Sequence, residues 1–262
     1  MLREEIISPC CGAAMEEDSG KIACSACGRV FDADKGYVDL LLDQESPKLI
    51  QWLWENRAVI KIYGAMRSAM MFSLAGRVVD EESEGFLLKH LLQIKGDENI
   101  LDLSCGNGRH AIKVAERLDS GHLFGVDISE AMLDDLIRKL DAGDKSAARK
   151  ITVIKGSSSV IPLKNGSMDK IYCVAAMHLY KDQQKVISES GRVLKSGGIF
   201  TGTIFMKSGT APLRFLEDAT YPLTGLVFNP RESFSSTLAG AGFETPDFAF
   251  LPPIAFFFTR KR

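Results

Sequence analysis

No apolar run in this 262-residue chain approaches the ~20 residues that a membrane-crossing helix needs, so no such span is expected. The opening Met1-Leu-Arg-Glu-Glu lacks the form of a secretory signal, which makes the cytoplasm the expected location. An excess of one charge is missing too. Lys plus Arg (32) nearly balance Asp plus Glu (34), so no global basic field draws nucleic acid. Cysteine is sparse at six, yet four of the six fall within the first 27 residues. Without a secretion signal, such clustering favours metal over disulfides. What remains is an ordinary globular composition, 45% apolar and 25% charged. The length suits one large domain or one domain with a small appendage.

The most informative stretch runs from Asn99 to His110, Asn-Ile-Leu-Asp-Leu-Ser-Cys-Gly-Asn-Gly-Arg-His. It reads as a buried strand that breaks at Gly106 and Gly108 and then opens a helix with Ala111, Ile112, Ala115 and Leu118 on one stripe. Two glycines one residue apart remove both Cβ atoms from a sharp turn, so a ligand can lie against the main chain. N–H groups at the helix start can then meet the ligand's polar atoms. A nucleotide-like cofactor fits this pattern. Gly106, Gly108 and Ala111 also match the dinucleotide fingerprint, with Asp127 about 20 residues on, which keeps NAD(P) in competition.

Strands and helices alternate from residue 99 to 206. Strands are expected at His122–Asp127, Ile151–Lys155, Lys170–Ala175 and Ile199–Phe205, with helices following Ser129 and spanning Asp182–Leu194. Asp141 to Lys150 reads as a loop or frayed helix end. This order implies a mainly parallel sheet covered by helices, with ligands at the carboxyl ends of the strands. Asp127, at such an end, could accept both ribose hydroxyls of a nucleoside or could cap the next helix. Glu232 to Ala241 reads as a last helix. Phe243–Phe250 and Ile254–Thr259, separated by Pro252-Pro253, read as a closing antiparallel pair.

Upstream, residues 1–40 form a cysteine-rich module. Cys24-Ser-Ala-Cys27-Gly28 has the form of a zinc knuckle, but its partner reads Ser8-Pro9-Cys10-Cys11-Gly12, with Ser8 where the first ligand belongs. Cys10, Cys11, Cys24 and Cys27 are the candidate metal ligands. Adjacent cysteines rarely share one ion, so a zinc site and a ribbon that has lost its metal both stay open. Gly36-Tyr-Val-Asp-Leu-Leu closes the module. Residues 41–95 then hold helical segments rich in Met and aromatic groups. Their usual role is core, while the functional reading is a lid whose Tyr63 and Arg67 face the cofactor cleft. Residues 207–230 read as an inserted loop near that cleft.

Four blocks together resemble a class I S-adenosylmethionine-dependent methyltransferase over about residues 47–262, with the domain itself at 96–262. They are Leu101-Asp-Leu-Ser-Cys-Gly-Asn-Gly, then Gly125-Val-Asp-Ile-Ser, then Gly156 through Ile161-Pro162-Leu163 with Asp169, and finally Arg192-Val-Leu-Lys-Ser-Gly-Gly. The cysteine module is similar to the ribbon preceding this domain in some ribosomal-RNA guanine methyltransferases. The resemblance implies a Rossmann-like, doubly wound α/β fold with an antiparallel C-terminal hairpin, a small cysteine module and a helical lid. It implies that Asp102, Ser104, Cys105, Gly106, Asn107 and Gly108 hold the methionine end of the cofactor. Asp127 would take the ribose, and Ile128 and Met132 would flank the adenine. Gly156, Ser157 and Ser158 stand where the family usually has Gly-Asp-Ala, and Ala175 and Ala176 would line the cleft beside the sulfonium.

Transfer from a sulfonium is mostly alignment, with a base where the nucleophile is protonated. His178, just after the fourth strand, is the candidate base, and Tyr180 the second choice. No Asn/Asp-Pro-Pro-Tyr follows that strand, which argues against amine methylation on DNA. A small-molecule acceptor at O, C or S is the leading expectation. An RNA base is the alternative, opposed by the net acidic segment 3–35. An NAD(P) oxidoreductase and a non-catalytic cofactor binder remain further alternatives.

Overall fold

A computed structural model describes residues 2–18, 21–42, 81–209, 226–251 and 254–262. Tyr63, Arg67 and most of the expected lid (41–95), together with residues 210–225 of the expected inserted loop, lie outside the described residues.

Near the N-terminus, β1 (Met15–Asp18), β2 (Lys21–Cys24) and β3 (Val30–Phe31) form a small antiparallel sheet. The principal sheet has eight strands. Six run parallel in the spatial order β4 (Val38–Asp39), β7 (Ile151–Lys155), β6 (His122–Asp127), β5 (Asn99–Leu103), β8 (Met168–Cys173) and β9 (Leu194–Phe205). Two antiparallel strands, β11 (Ile254–Arg260) and β10 (Asp247–Leu251), extend it beyond β9. Among the described residues the helices are α1 (Glu81–Leu92), α2 (Ala111–Ala115), α3 (Glu130–Ala142), α4 (Lys145–Ala148), α5 (Gln183–Val193) and α6 (Arg231–Gly240). The chain leaves β5 toward β6 and β7 on one side and returns to β8 and β9 on the other. A doubly wound α/β sheet opens a crevice at that reversal, at the carboxyl ends of β5 and β8.

Local chemistry explains the elements. All six residues of β6 are buried, as an interior parallel strand requires. In α3, Met132, Leu133, Leu136 and Leu140 recur at helical spacing and are buried, each contributing roughly 1.5–3 kcal/mol of apolar transfer. Ser129 begins that helix by accepting from the Met132 N–H at 3.3 Å, a cap worth about 1 kcal/mol.

The structure corrects several boundaries. The expected loop Asp141–Lys150 contains α4, whose cap Asp144 accepts from the Ser146 N–H at 2.8 Å. The fourth principal strand ends at Cys173, because Ala175 takes a left-handed φ of 58° that no strand tolerates. The fifth begins at Leu194 instead of Ile199. Lys195–Gly198 bulges out between the pairings Met168–Leu194 and Lys170–Ile199, so the glycines mark a bulge within the strand. The first strand of the C-terminal pair spans Asp247–Leu251, with Phe243 joined to Lys261 by an isolated bridge. Tyr37-Val-Asp does not simply close the cysteine module. Val38 and Asp39 pair with Ile154 and Lys155 as the edge strand of the principal sheet.

Candidate active site

The turn after β5 is built from three left-handed residues, Ser104 (φ 61°), Gly106 (φ 53°) and Gly108 (φ 72°). The Ser104 and Cys105 N–H groups both donate to the Val126 carbonyl, at 2.8 and 3.1 Å. Gly108 is a packing requirement: a Cβ there would stand 2.1 Å from Leu136 Cδ1. Gly106 is different, since a Cβ there would meet nothing within 4 Å. It faces open space, where a ligand can approach the backbone.

Asp127 is buried at the end of β6 and links the turn after β5 to the start of α3. Its Oδ2 accepts from the Gly106 N–H at 2.8 Å and its Oδ1 from the Ser129 N–H at 2.9 Å. The helix itself is capped by Ser129, so Asp127 braces the residue that starts α3 and the loop after β5 at once. Its carbonyl accepts from the Gly156 N–H at 2.9 Å, which ties the 156–158 loop to the same point. Ile128 is half-buried and Met132 buried on the first turn of α3. Ser157 Oγ accepts from the Ser159 N–H at 3.2 Å. Across the crevice, Ala176 is buried, and the Ala175 N–H donates to Thr203 Oγ1 at 2.7 Å. Lys139 holds the loop's outer rim by donating to the Asn107 carbonyl at 2.9 Å.

Beneath the loop, Asp102 is buried and accepts from the Tyr172 hydroxyl at 2.7 Å. Burial lifts its carboxyl to about 8, against the opposing effect of that hydrogen bond. His178 follows β8, as expected, in the short 3-10 turn Met177–Leu179. It is buried and stacks flat on Phe205, centroids 3.9 Å apart and planes 2° apart. Burial lowers its imidazole to about 3, and its Nδ1 has no hydrogen-bond partner among the described residues. The ring is an uncharged aromatic wall at neutral pH.

The sequence offered only as a second-choice base the group that joins these parts. The Tyr180 hydroxyl lies 2.6 Å from Ser104 Oγ and donates to Ser158 Oγ at 3.1 Å. The only sequence signal for it was a tyrosine closing the segment after the fourth strand.

The four N-terminal cysteines come together, adjacent pair included. Sγ separations are 3.0 Å for Cys10–Cys27, 3.3 Å for Cys11–Cys24 and 3.7 Å for Cys10–Cys11, and all four sulfurs lie within 4.8 Å of one another. Ser8 Oγ sits 2.8 Å from Cys10 Sγ and lies within reach of the set without displacing a thiol from it. The Ser8 hydroxyl, together with the Cys27 and Ala26 N–H groups, lowers the Cys24 thiol to about 5.

Residues 100–198 match a family model described as a methyltransferase domain. That stretch is thus similar to a methyltransferase domain. An uncharacterized chloroplastic methyltransferase of Arabidopsis thaliana is 28% identical over 205 residues, covering 70% of this chain and 54% of that protein. A demethylmenaquinone methyltransferase of Listeria monocytogenes is 28% identical over 137 residues, 52% of this chain and 54% of that one. The chain thus spans about half the length of the curated relatives it matches. Among solved structures, the geranyl diphosphate C-methyltransferase of Streptomyces coelicolor A3(2), in complex with S-adenosyl-L-homocysteine, superposes with a TM-score of 0.59. It shares 16% identity and covers 70% of this chain and 79% of its own, a likeness of fold.

Proposed function

We propose that this protein binds S-adenosylmethionine across the carboxyl ends of β5, β6 and β7 and transfers its methyl group to a small-molecule oxygen, carbon or sulfur acceptor. The observation that carries this is the Asp127 carboxylate, buried and aimed by the Gly106 and Ser129 N–H groups. A carboxylate accepts about four hydrogen bonds, so Asp127 can serve ribose hydroxyls as well as backbone donors. The open face of Gly106 leaves room for the methionine end, and Ile128 and Met132 offer an apolar flank for adenine. The cofactor supplies a methyl on an already activated sulfonium. The protein's part is to fix Gly106, Asp127 and the 156–158 loop so that acceptor and methyl are aligned.

The small-molecule reading is supported by the wall beyond β8. His178, Phe205 and Phe228 form an uncharged aromatic stack, with Phe205 and Phe228 centroids 5.3 Å apart. A buried imidazole lowered to about 3 is a poor base at neutral pH, which favours an acceptor that brings its own ionised or carbon nucleophile. The names of the Listeria and Streptomyces relatives point the same way. The RNA alternative loses support, because two of the module's four cations sit in ion pairs, Arg3 with Glu5 and Lys35 with Glu130.

Calorimetry with S-adenosylhomocysteine and NAD tests the cofactor. The former should bind, and Asp127→Asn should weaken it at least tenfold. Binding of NAD alone would overturn the assignment. Labelled methyl from S-adenosylmethionine should then enter the small-molecule fraction of a cell extract, and label found only in RNA would overturn the acceptor class.

We further infer that Cys10, Cys11, Cys24 and Cys27 hold one structural zinc ion. Zn–S bonds of about 2.3 Å set tetrahedral sulfurs roughly 3.8 Å apart, close to the spacing of this set. Metal analysis should give one zinc per chain, lost in Cys24→Ser. A zinc-free protein with four titratable N-terminal thiols would overturn this.

A further inference from the structure

Three segments enclose the crevice: the turn after β5, the 156–158 loop and the stretch that follows β8. Each contributes one hydroxyl to a single cluster. Tyr180 OH and Ser104 Oγ are 2.6 Å apart, Tyr180 OH and Ser158 Oγ 3.1 Å, and the two serine oxygens 3.4 Å. Cys173 Sγ borders the cluster at 3.9 Å from the phenol oxygen. Ser104 is also one of three non-glycine residues among those described that hold a positive φ. A left-handed non-glycine residue costs roughly 1–2 kcal/mol and persists where its surroundings hold it.

We propose that Tyr180 is a positioning residue, whose hydroxyl clamps the Ser104 turn to the Ser158 loop and so holds the cofactor-binding loop in its left-handed form. This rests on the assignment of S-adenosylmethionine to the crevice and names a residue that sets its affinity. The clamp is mechanical: Ser104 leads directly into Cys105 and Gly106, so fixing its side chain fixes the direction of the Gly106 N–H toward Asp127. Burial holds the Tyr180 phenol well above its ordinary range, so it stays a neutral donor at every working pH. Tyr180 therefore serves as a hydrogen-bonding strut and not as a base.

The test is a set of calorimetric S-adenosylhomocysteine titrations on the full chain, with melting temperatures alongside. Tyr180→Phe keeps the ring and removes the strut, so its dissociation constant should rise about three- to tenfold, the worth of one or two neutral hydrogen bonds. Ser104→Ala should cost a similar factor, and adding it to Tyr180→Phe should bring little further loss, since both remove the same link. Ser104→Gly separates the clamp from general loosening. Glycine takes a positive φ without help, so Tyr180→Phe should cost clearly less in this background than in the wild type. Wild-type affinity in Tyr180→Phe would overturn the proposal. So would additive losses in the double variant, which would put the phenol on the ligand itself. If the wild type fails to bind S-adenosylhomocysteine at all, the cofactor assignment falls first.

Discussion

Gly106 and Gly108 stand two residues apart in one turn, yet a methyl group on each meets a different obstacle. At Gly108 the new carbon would lie 2.1 Å from Leu136 Cδ1, and the φ of 72° adds backbone strain. Strain and overpacking together predict that Gly108→Ala loses about 2–4 kcal/mol of stability, read as a fall in melting temperature. Gly106 opens onto the crevice, so Gly106→Ala should cost only about 1 kcal/mol while weakening S-adenosylhomocysteine binding severalfold. A calorimetric titration beside a thermal melt separates the two outcomes. Asp102 adds a pH signature. Its carboxyl is raised from 3.8 to about 8 in the fold, so the stability it contributes is present below about pH 4 and lost as pH rises toward 8. His122 and His178 are lowered to about 4 and about 3, mainly by burial, and their contribution fades only below pH 6.5. Between pH 6.5 and 8 the Asp102 term is exposed. Denaturant midpoints should fall across that interval in the wild type and stay flatter in Asp102→Asn.

At the scale of elements, legibility tracked the range of the interactions. The Ser129 cap and the buried stripe of α3 lie within one helix, and residues within that helix announce them. Strands β6 and β7 were legible for the same reason, as short apolar runs between turn signals. The strand was expected to begin only at Ile199 because the sequence cannot reveal that β8 and β11 flank Gly197-Gly198 and carry the strand through the bulge. The hydroxyl cluster of Ser104, Ser158 and Tyr180 spans 76 residues of chain, and no local pattern encodes it. Strand β4 was equally hidden, since its partner β7 lies more than a hundred residues away. Lys155 shows what holds it there, with Nζ 2.9 Å from Asp39 and 3.0 Å from Glu130. Burial opposes the Lys155 charge, but the two carboxylates prevail and raise its pKa. The carboxylates are about a third exposed, which tempers the loss on deleting the cation. Lys155→Met should cost about 1–2 kcal/mol by denaturant unfolding and, because Glu130 lies three residues after Asp127, weaken S-adenosylhomocysteine by a small factor.

Over the whole molecule, the cysteine module and the α/β domain share one core. Ile6, Ile22, Phe31, Val38 and Leu40 belong to the same buried cluster as Leu101, Phe124, Ile154 and Leu163. Ile6 bridges to Leu163, the Ile7 N–H donates to the Pro162 carbonyl at 3.1 Å, and Asn99 Nδ2 donates to Glu5 at 3.1 Å. A boundary at residue 40 reads naturally from composition, because cysteine and turn residues end there. Packing places no seam at that point. Removing residues 1–40 would uncover the β7 edge, strand β7's Lys155 and the faces of Ile154 and Leu163 together. Each large apolar residue of the module is worth roughly 1.5–3 kcal/mol, and five of them exceed much of a domain's usual 5–15 kcal/mol margin. The chain from residue 41 onward should therefore aggregate or melt far below the full-length protein, even with S-adenosylhomocysteine present. A truncated protein with the parent's melting temperature and ligand affinity would show instead that the module is an appendage, and that the shared cluster contributes little to holding the crevice.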